Sequence, residues 1–172
     1  MRMKPLLLIC ALVTLALCFS CQTEKLNTEG QWGKVKDGLQ SRIMLSYDPE
    51  NEHDVFVHYS VRNVSPTNIV LWDSGFWPNH LVIVQDRRGR ACDVTSGGKI
   101  KIDSFDPGGS RMKNARYVLK EGEVYTKSDP IRLSELYRLK VGEIYKVKVI
   151  YEEYQGGWEW RLESNTSRFT AK

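Results

Sequence analysis

The stretch VGEIYKVKVIYEEY, residues 141–154, decides most of what this chain can become. Tyr145, Val147, Val149 and Tyr151 fall on every second position, with Lys146, Lys148 and Ile150 between them. On a helix a period of two would scatter these apolar side chains around the axis; on a strand it gathers them on one face. VFVHYSVRNV (55–64) repeats the pattern, with Val55, Val57, Tyr59 and Val61 on one face and Phe56, His58, Ser60 and Arg62 on the other. Half-buried strands need partners, and the chain supplies candidates in RIMLSY (42–47), NIVLWD (68–73), HLVIVQD (80–86), KIKI (99–102), RYVLKEGEVY (116–125) and SNTSRFTAK (164–172). Turn residues separate them: Pro66 and Asn68, Gly89, and Glu121–Gly122. IRLSELYRL (131–139) is the one expected helical turn, with Leu133, Leu136 and Tyr137 on a common face. About eight or nine short strands, with a turn signal near every ten residues, predict an all-β antiparallel sandwich.

The N-terminus addresses location. Arg2 and Lys4 form a basic head, and Leu6 to Phe19 is an unbroken run of apolar and small residues. That run is shorter than the roughly 20 residues a transmembrane helix needs, and it has the layout of a secretory signal. CFS-C (18–21) resembles a bacterial lipobox, with small Ser20 before Cys21; Cys18 stands where Leu is usual, and Phe19 follows it. The resemblance implies that residues 1–20 are removed and that Cys21 receives a diacylglycerol and an N-acyl chain such as palmitate, more than stable anchoring requires. Residues 21–34 would then be a tether and 35–172 the domain. The membrane would be a partner through the lipid, and the location the cell envelope, with Gln22 favouring an outer membrane. Ordinary cleavage nearby, giving a soluble secreted protein, is the alternative.

Removing residues 1–20 leaves 152 of the 172, enough for one domain with a real core. It takes two cations and no acid, so the formal charge falls from +4 to +2. No clustered basic footprint is present, so no nucleic-acid partner is expected. Of the four cysteines, Cys10 and Cys18 leave with the signal. With Cys21 lipidated, Cys92 in RGRACDVT is expected to be a small buried hydrophobe. With Cys21 free, a Cys21–Cys92 disulfide becomes the alternative.

Gly142-x-x-Tyr145, entering an alternating strand, resembles the tyrosine corner of immunoglobulin-like domains, whose hydroxyl bonds a backbone group just upstream. The Cys–Trp–Cys core of antibody domains is absent. WGKVKDGLQSRI, VRNVSPTNIVLWDSGFWPNH, FDPGGSRMKN, YEEYQGGW and LESNTSRF resemble small secreted proteins of planctomycete-type bacteria. That resemblance implies an Ig-like sandwich and assigns no activity. VRNVSPTNIVL and the late Gly-x-x-Tyr also resemble bacterial proteinase-inhibitor domains of Ig-like fold. This implies inhibition of a secreted protease through an exposed loop such as SGFWPN or SFDPGGSR.

Catalytic patterns are missing. There is no Gly-x-Ser-x-Gly elbow, and the three histidines, His53, His58 and His80, are not arranged with a nucleophile and an orienting acid. The chain is therefore expected to be non-catalytic. His58 reads as a surface or cross-strand residue and His53 as solvated. Asp93, Asp103 and Asp106 lie in Gly- and Ser-rich segments that suit a loose calcium site. They suit turns equally well, and no metal or cofactor is expected. Glu152 and Glu153 are neighbours on a strand and point to opposite faces, so they are not a glycosidase pair. Asn63 and Asn165 head formal glycosylation sequons, and Asn63 is better read as a turn former. The most suggestive stretches are LWDSGFWPNH (71–80) and QGGWEWR (155–161), the latter with a Gly156–Gly157 hairpin turn and Trp158 and Trp160 on one face. Aromatic rings in loops at the end of a sandwich offer rigid contact area with a polar handle. Trp72, Asp73, Phe76, Trp77, His80 and Trp158 are the candidate ligand-binding residues, for a protein, peptide or polysaccharide. The competing reading, favoured for Trp72 and Trp160, is that the rings plug the open end of the core.

Overall fold

The computed structural model describes residues 31–51, 54–72, 76–107, 116–155 and 158–172; at Trp72, Arg116, Gln155 and Trp158 it describes the backbone only. Cys21, His53 and Asp73 lie outside the described residues. Those residues form an all-β antiparallel sandwich of ten strands: β1 (Leu39–Tyr47), β2 (Val55–Asn63), β3 (Ile69–Trp72), β4 (His80–Asp86), β5 (Arg116–Leu119), β6 (Val124–Thr126), β7 (Ile131–Arg132), β8 (Ile144–Gln155), β9 (Trp158–Glu163) and β10 (Ser167–Thr170). Three short helices interrupt them: α1 (Phe76–Asn79), α2 (Ser96–Asp103) and α3 (Leu133–Leu136).

The two longest alternating stretches become the central strands. In the first sheet β2 lies between β1 and, on its other side, β6 and β7. In the second β8 lies between β4 and, on its other side, β9 and β10, which take its two halves in turn. β3 and β5 form a separate ribbon. The faces divide as the period of two requires: Val55, Val57, Tyr59 and Val61 from β2 and Tyr145, Val147, Val149 and Tyr151 from β8 are all buried in one core. Each such side chain contributes roughly 1.5–3 kcal/mol of transfer free energy. β8 and β9 pair antiparallel with Gln155 opposite Trp158; the Gly156–Gly157 turn expected between them lies outside the described residues. Asn165, between β9 and β10, ties the sheets together: its Oδ1 accepts from the Ile43 amide at 2.7 Å and its Nδ2 donates to the Ile43 carbonyl at 3.2 Å. The Tyr47 hydroxyl adds a bond to the Thr170 carbonyl at 2.9 Å.

The tyrosine-corner geometry is present. Gly142 has a left-handed φ of 81°, and the Tyr145 hydroxyl accepts the Lys140 amide proton at 2.9 Å. Tyr145→Phe keeps the ring against Phe169 and leaves that amide without its protein partner, so chemical unfolding is expected to show a loss of about 1 kcal/mol. A parent-like midpoint would show that water replaces the hydroxyl at no cost.

One expectation is corrected. KIKI is not a strand; it lies in α2, and Ile100 is 72% exposed. Alternation makes a strand only where a sheet edge receives it, and here local chemistry favours a helix. The Thr95 hydroxyl caps α2 by accepting from the Gly98 amide at 2.9 Å, and Lys99 pairs with Asp103 one turn on at 2.9 Å. Gly98 seats α2 against α3, since a Cβ there would lie 2.1 Å from the Leu136 carbonyl oxygen. Trp32 and Gly33 also make contacts with the first sheet. Gly33 donates to the Ser41 carbonyl at 2.8 Å, and Trp32 lies under the Arg42 and Arg62 guanidinium groups at 4.5 and 4.3 Å. An Asp37–Gly38 turn, both residues with positive φ, folds this segment back into β1.

Candidate functional site

Of the six candidate ligand-binding residues, three come together with side chains described: Phe76, Trp77 and His80. α1 delivers the first two at one end of the sandwich, and β4 starts at the third. His80 lies directly opposite Tyr151 in the β4–β8 register. Phe76 stacks on His80 with ring centroids 4.0 Å apart and planes at 9°. Tyr59 from β2 meets both rings edge-on, at 5.7 and 4.9 Å, and Tyr151 closes on His80 at 4.9 Å. Trp77 meets Phe76 edge-on at 5.1 Å. Trp72 and Trp158 contribute the backbone ends of β3 and β9.

His80 Nδ1 lies 2.7 Å from the Phe76 carbonyl. A carbonyl only accepts, so Nδ1 carries the proton. Burial among these rings is the largest influence on the imidazole and lowers its pKa to about 3, with the nearby Lys127 cation acting in the same direction against the Phe76 bond. His80 is thus neutral at physiological pH and is not poised as a general base. Burial likewise raises the Tyr59 hydroxyl far above its ordinary value, so it supplies no nucleophile. Lys127 lies 5.6 Å from the Phe76 ring and donates to the Asp129 carbonyl at 2.5 Å. Lys101 lies over Trp77 at 5.0 Å and pairs with Glu135 at 3.0 Å.

This geometry fits the plug for Phe76 and His80, whose rings face Tyr59 and Tyr151. Trp77 is partly buried at the margin, beneath a lysine. Trp160, also partly buried, packs on the core from β9. Segment 76–79 of the SGFWPN stretch is a helical turn, with Asn79 buried and its amide donating to the Glu152 carbonyl at 3.0 Å. An inhibitory loop offers extended backbone to a protease, and this segment does not. Half of the other loop named, SFDPGGSR, lies outside the described residues.

Glu152 and Glu153 do point to opposite faces: Arg161 and Tyr154 donate to Glu152, and the Tyr151 hydroxyl donates to Glu153. Both are buried, which a strand's alternation does not foretell. His58 is a cross-strand residue, its Nε2 2.8 Å from the Ser46 hydroxyl. Asp103 is spent on Lys99, and among the described residues no three His, Cys, Asp or Glu side chains gather as metal ligands. Cys92 is partly buried against the core, and burial raises its thiol pKa, the opposite of nucleophilic activation. The contributors that sequence reading missed are Tyr59, Tyr151 and Lys127. Their only prior signal was membership of strands whose order was unknown. Comparison of the sequence with models of protein families and with curated proteins found no match.

Proposed function

We propose that the chain is a non-catalytic, lipid-anchored envelope module whose sandwich contacts a protein, peptide or polysaccharide. The supporting observation is the margin of the aromatic plug. There Trp77 has the Lys101 ammonium 5.0 Å from its ring, and Glu135 lies 3.0 Å from that ammonium. A rigid ring beside a cation and a carboxylate offers stacking area together with donors and acceptors, the mixture that contact surfaces use. The signal-like N-terminus with Cys21 supports the anchor.

Two measurements test the reading. Expressed in a bacterial host, the chain is expected in the membrane fraction, with an N-terminal tryptic peptide that begins at Cys21 and carries two or three acyl chains. An unmodified N-terminus in the soluble fraction would overturn the anchor. A photoreactive amino acid at position 77 is expected to trap an envelope component that the same group at exposed Val141 does not. Equal trapping at the two positions would remove Trp77 from the contact surface.

A further inference from the structure

We propose that the outer face of the second sheet binds a phosphate-type oxyanion. A concavity of about 440 Å³ lies there, lined by Ile83, Gln85, Lys146, Lys148, Thr166 and Arg168 with the edge of Val147. The register explains why these side chains converge. Gln85 of β4 pairs with Lys146 of β8, and Lys146 pairs with Arg168 of β10, so the three form one row across the strands. Lys148 projects from the same face two residues on. The volume falls within the usual range for a ligand site.

The charge arrangement is the argument. Like charges directly opposite on neighbouring strands destabilise a sheet. Lys146 and Arg168 are such a pair, and among the described residues neither has a carboxylate within ion-pair distance. Lys148 is neutralised by Glu163 at 2.8 Å. Two uncompensated cations thus share a concavity with the Thr166 hydroxyl and with Gln85, whose amide nitrogen already donates to the Gly89 carbonyl at 3.0 Å. A guanidinium fork beside an ammonium and a hydroxyl is the donor set that holds phosphate oxygens. Gly33 packs beside the Glu163 carbonyl, so the N-terminal segment enters the domain next to the strand that carries Lys148's partner. On the lipid-anchored reading, on which this part rests, the phosphate of an anionic lipid headgroup is one source of the oxyanion. A soluble phosphate would satisfy the same donors.

The test is lysine footprinting by amine acetylation and mass spectrometry on the processed full chain purified in detergent. One arm adds inorganic phosphate. Two others place the chain with vesicles of phosphatidylcholine alone or of phosphatidylcholine with phosphatidylglycerol. Lys120, exposed in the turn after β5, is the internal reference. Acetylation of Lys146 relative to Lys120 is expected to slow about fivefold at four-fifths occupancy. Arg168→Gln, a change at an exposed position, is expected to abolish most of that protection. Protection by anionic vesicles but not by inorganic phosphate assigns the headgroup; protection by inorganic phosphate in detergent assigns a soluble ligand. Unchanged Lys146 labelling in every arm, or full protection in Arg168→Gln, overturns the site. Failure of the chain to stay with phosphatidylcholine vesicles would count against the anchor alone, because the phosphate arm still reads the concavity.

Discussion

Asn63→Ala is expected to lower stability by about 3 kcal/mol, a large loss for a substitution of one polar residue. Asn63 ends β2 and is fully buried. Its Nδ2 donates to the Thr67 carbonyl at 2.6 Å and to the Leu119 carbonyl at 3.0 Å. Its Oδ1 accepts from the Ser65 amide and the Ser65 hydroxyl, each at 2.8 Å. One side chain thereby closes the β2–β3 turn and fastens it to β5. Alanine removes all four bonds and strands polar groups in a buried place, each at roughly 1–3 kcal/mol before relaxation and water entry. Asn63→Asp separates the donor role from the acceptor role. It keeps the Ser65 bonds but aims a carboxylate oxygen at two carbonyls, so at neutral pH it is expected to cost at least as much as alanine. Its stability relative to Asn63→Ala should recover on acidification, as the carboxyl gains a proton to donate. Urea unfolding with an unchanged slope measures both. A loss below about 1 kcal/mol for Asn63→Ala would show that water replaces the amide. The same burial removes Asn63 from consideration as a glycosylation acceptor in the folded chain.

The strands that were legible were those whose alternation is also their burial: β2 and β8, with β4 bounded as its residues suggested. The tyrosine corner was legible because one glycine and one tyrosine at fixed spacing specify it locally. KIKI misled because period two says nothing without a sheet edge to receive it, whereas Thr95 and Gly98 act through the backbone of α3, far along the chain. The aromatic stretch 71–80 stood out by its composition, but the inward or outward facing of Phe76 and His80 depends on Tyr59 and Tyr151. Only the strand order brings these two to His80. The Lys146–Arg168 row was hidden for the same reason: the alternation put Lys146 on an outer face, and pairing with β10 supplied the second cation.

Acid is expected to destabilise the domain through His80, beginning well above the range in which carboxylates titrate. Its pKa is about 3 in the folded chain, against the ordinary 6.5. Between these values the unfolded chain holds a proton that the folded chain refuses, so stability rises with pH there. The contribution is fully present above 6.5 and is lost as the pH falls toward 3. Full exclusion of the proton would cost about 1.4 kcal/mol per pH unit. The ring keeps some solvent contact, so a loss of roughly 1 kcal/mol between pH 6.5 and 5 is the discounted expectation. The two acids held below their ordinary values act beneath this window. Asp86 is held below its ordinary value by the Arg90 backbone and side chain, and Glu163 by Lys148 first, so their contributions are lost only at lower pH. Two measurements check the assignment. The His80 imidazole resonances should stay those of the neutral, Nδ1-protonated ring down to pH 5, and a midpoint near 6.5 would mean that the ring is open to water. His80→Gln should be less stable than the parent at pH 7, because it breaks the stack on Phe76, yet its stability should be flatter between pH 6.5 and 5. A parent-like slope in that variant would move the acid sensitivity to another group and leave the plug a purely apolar device.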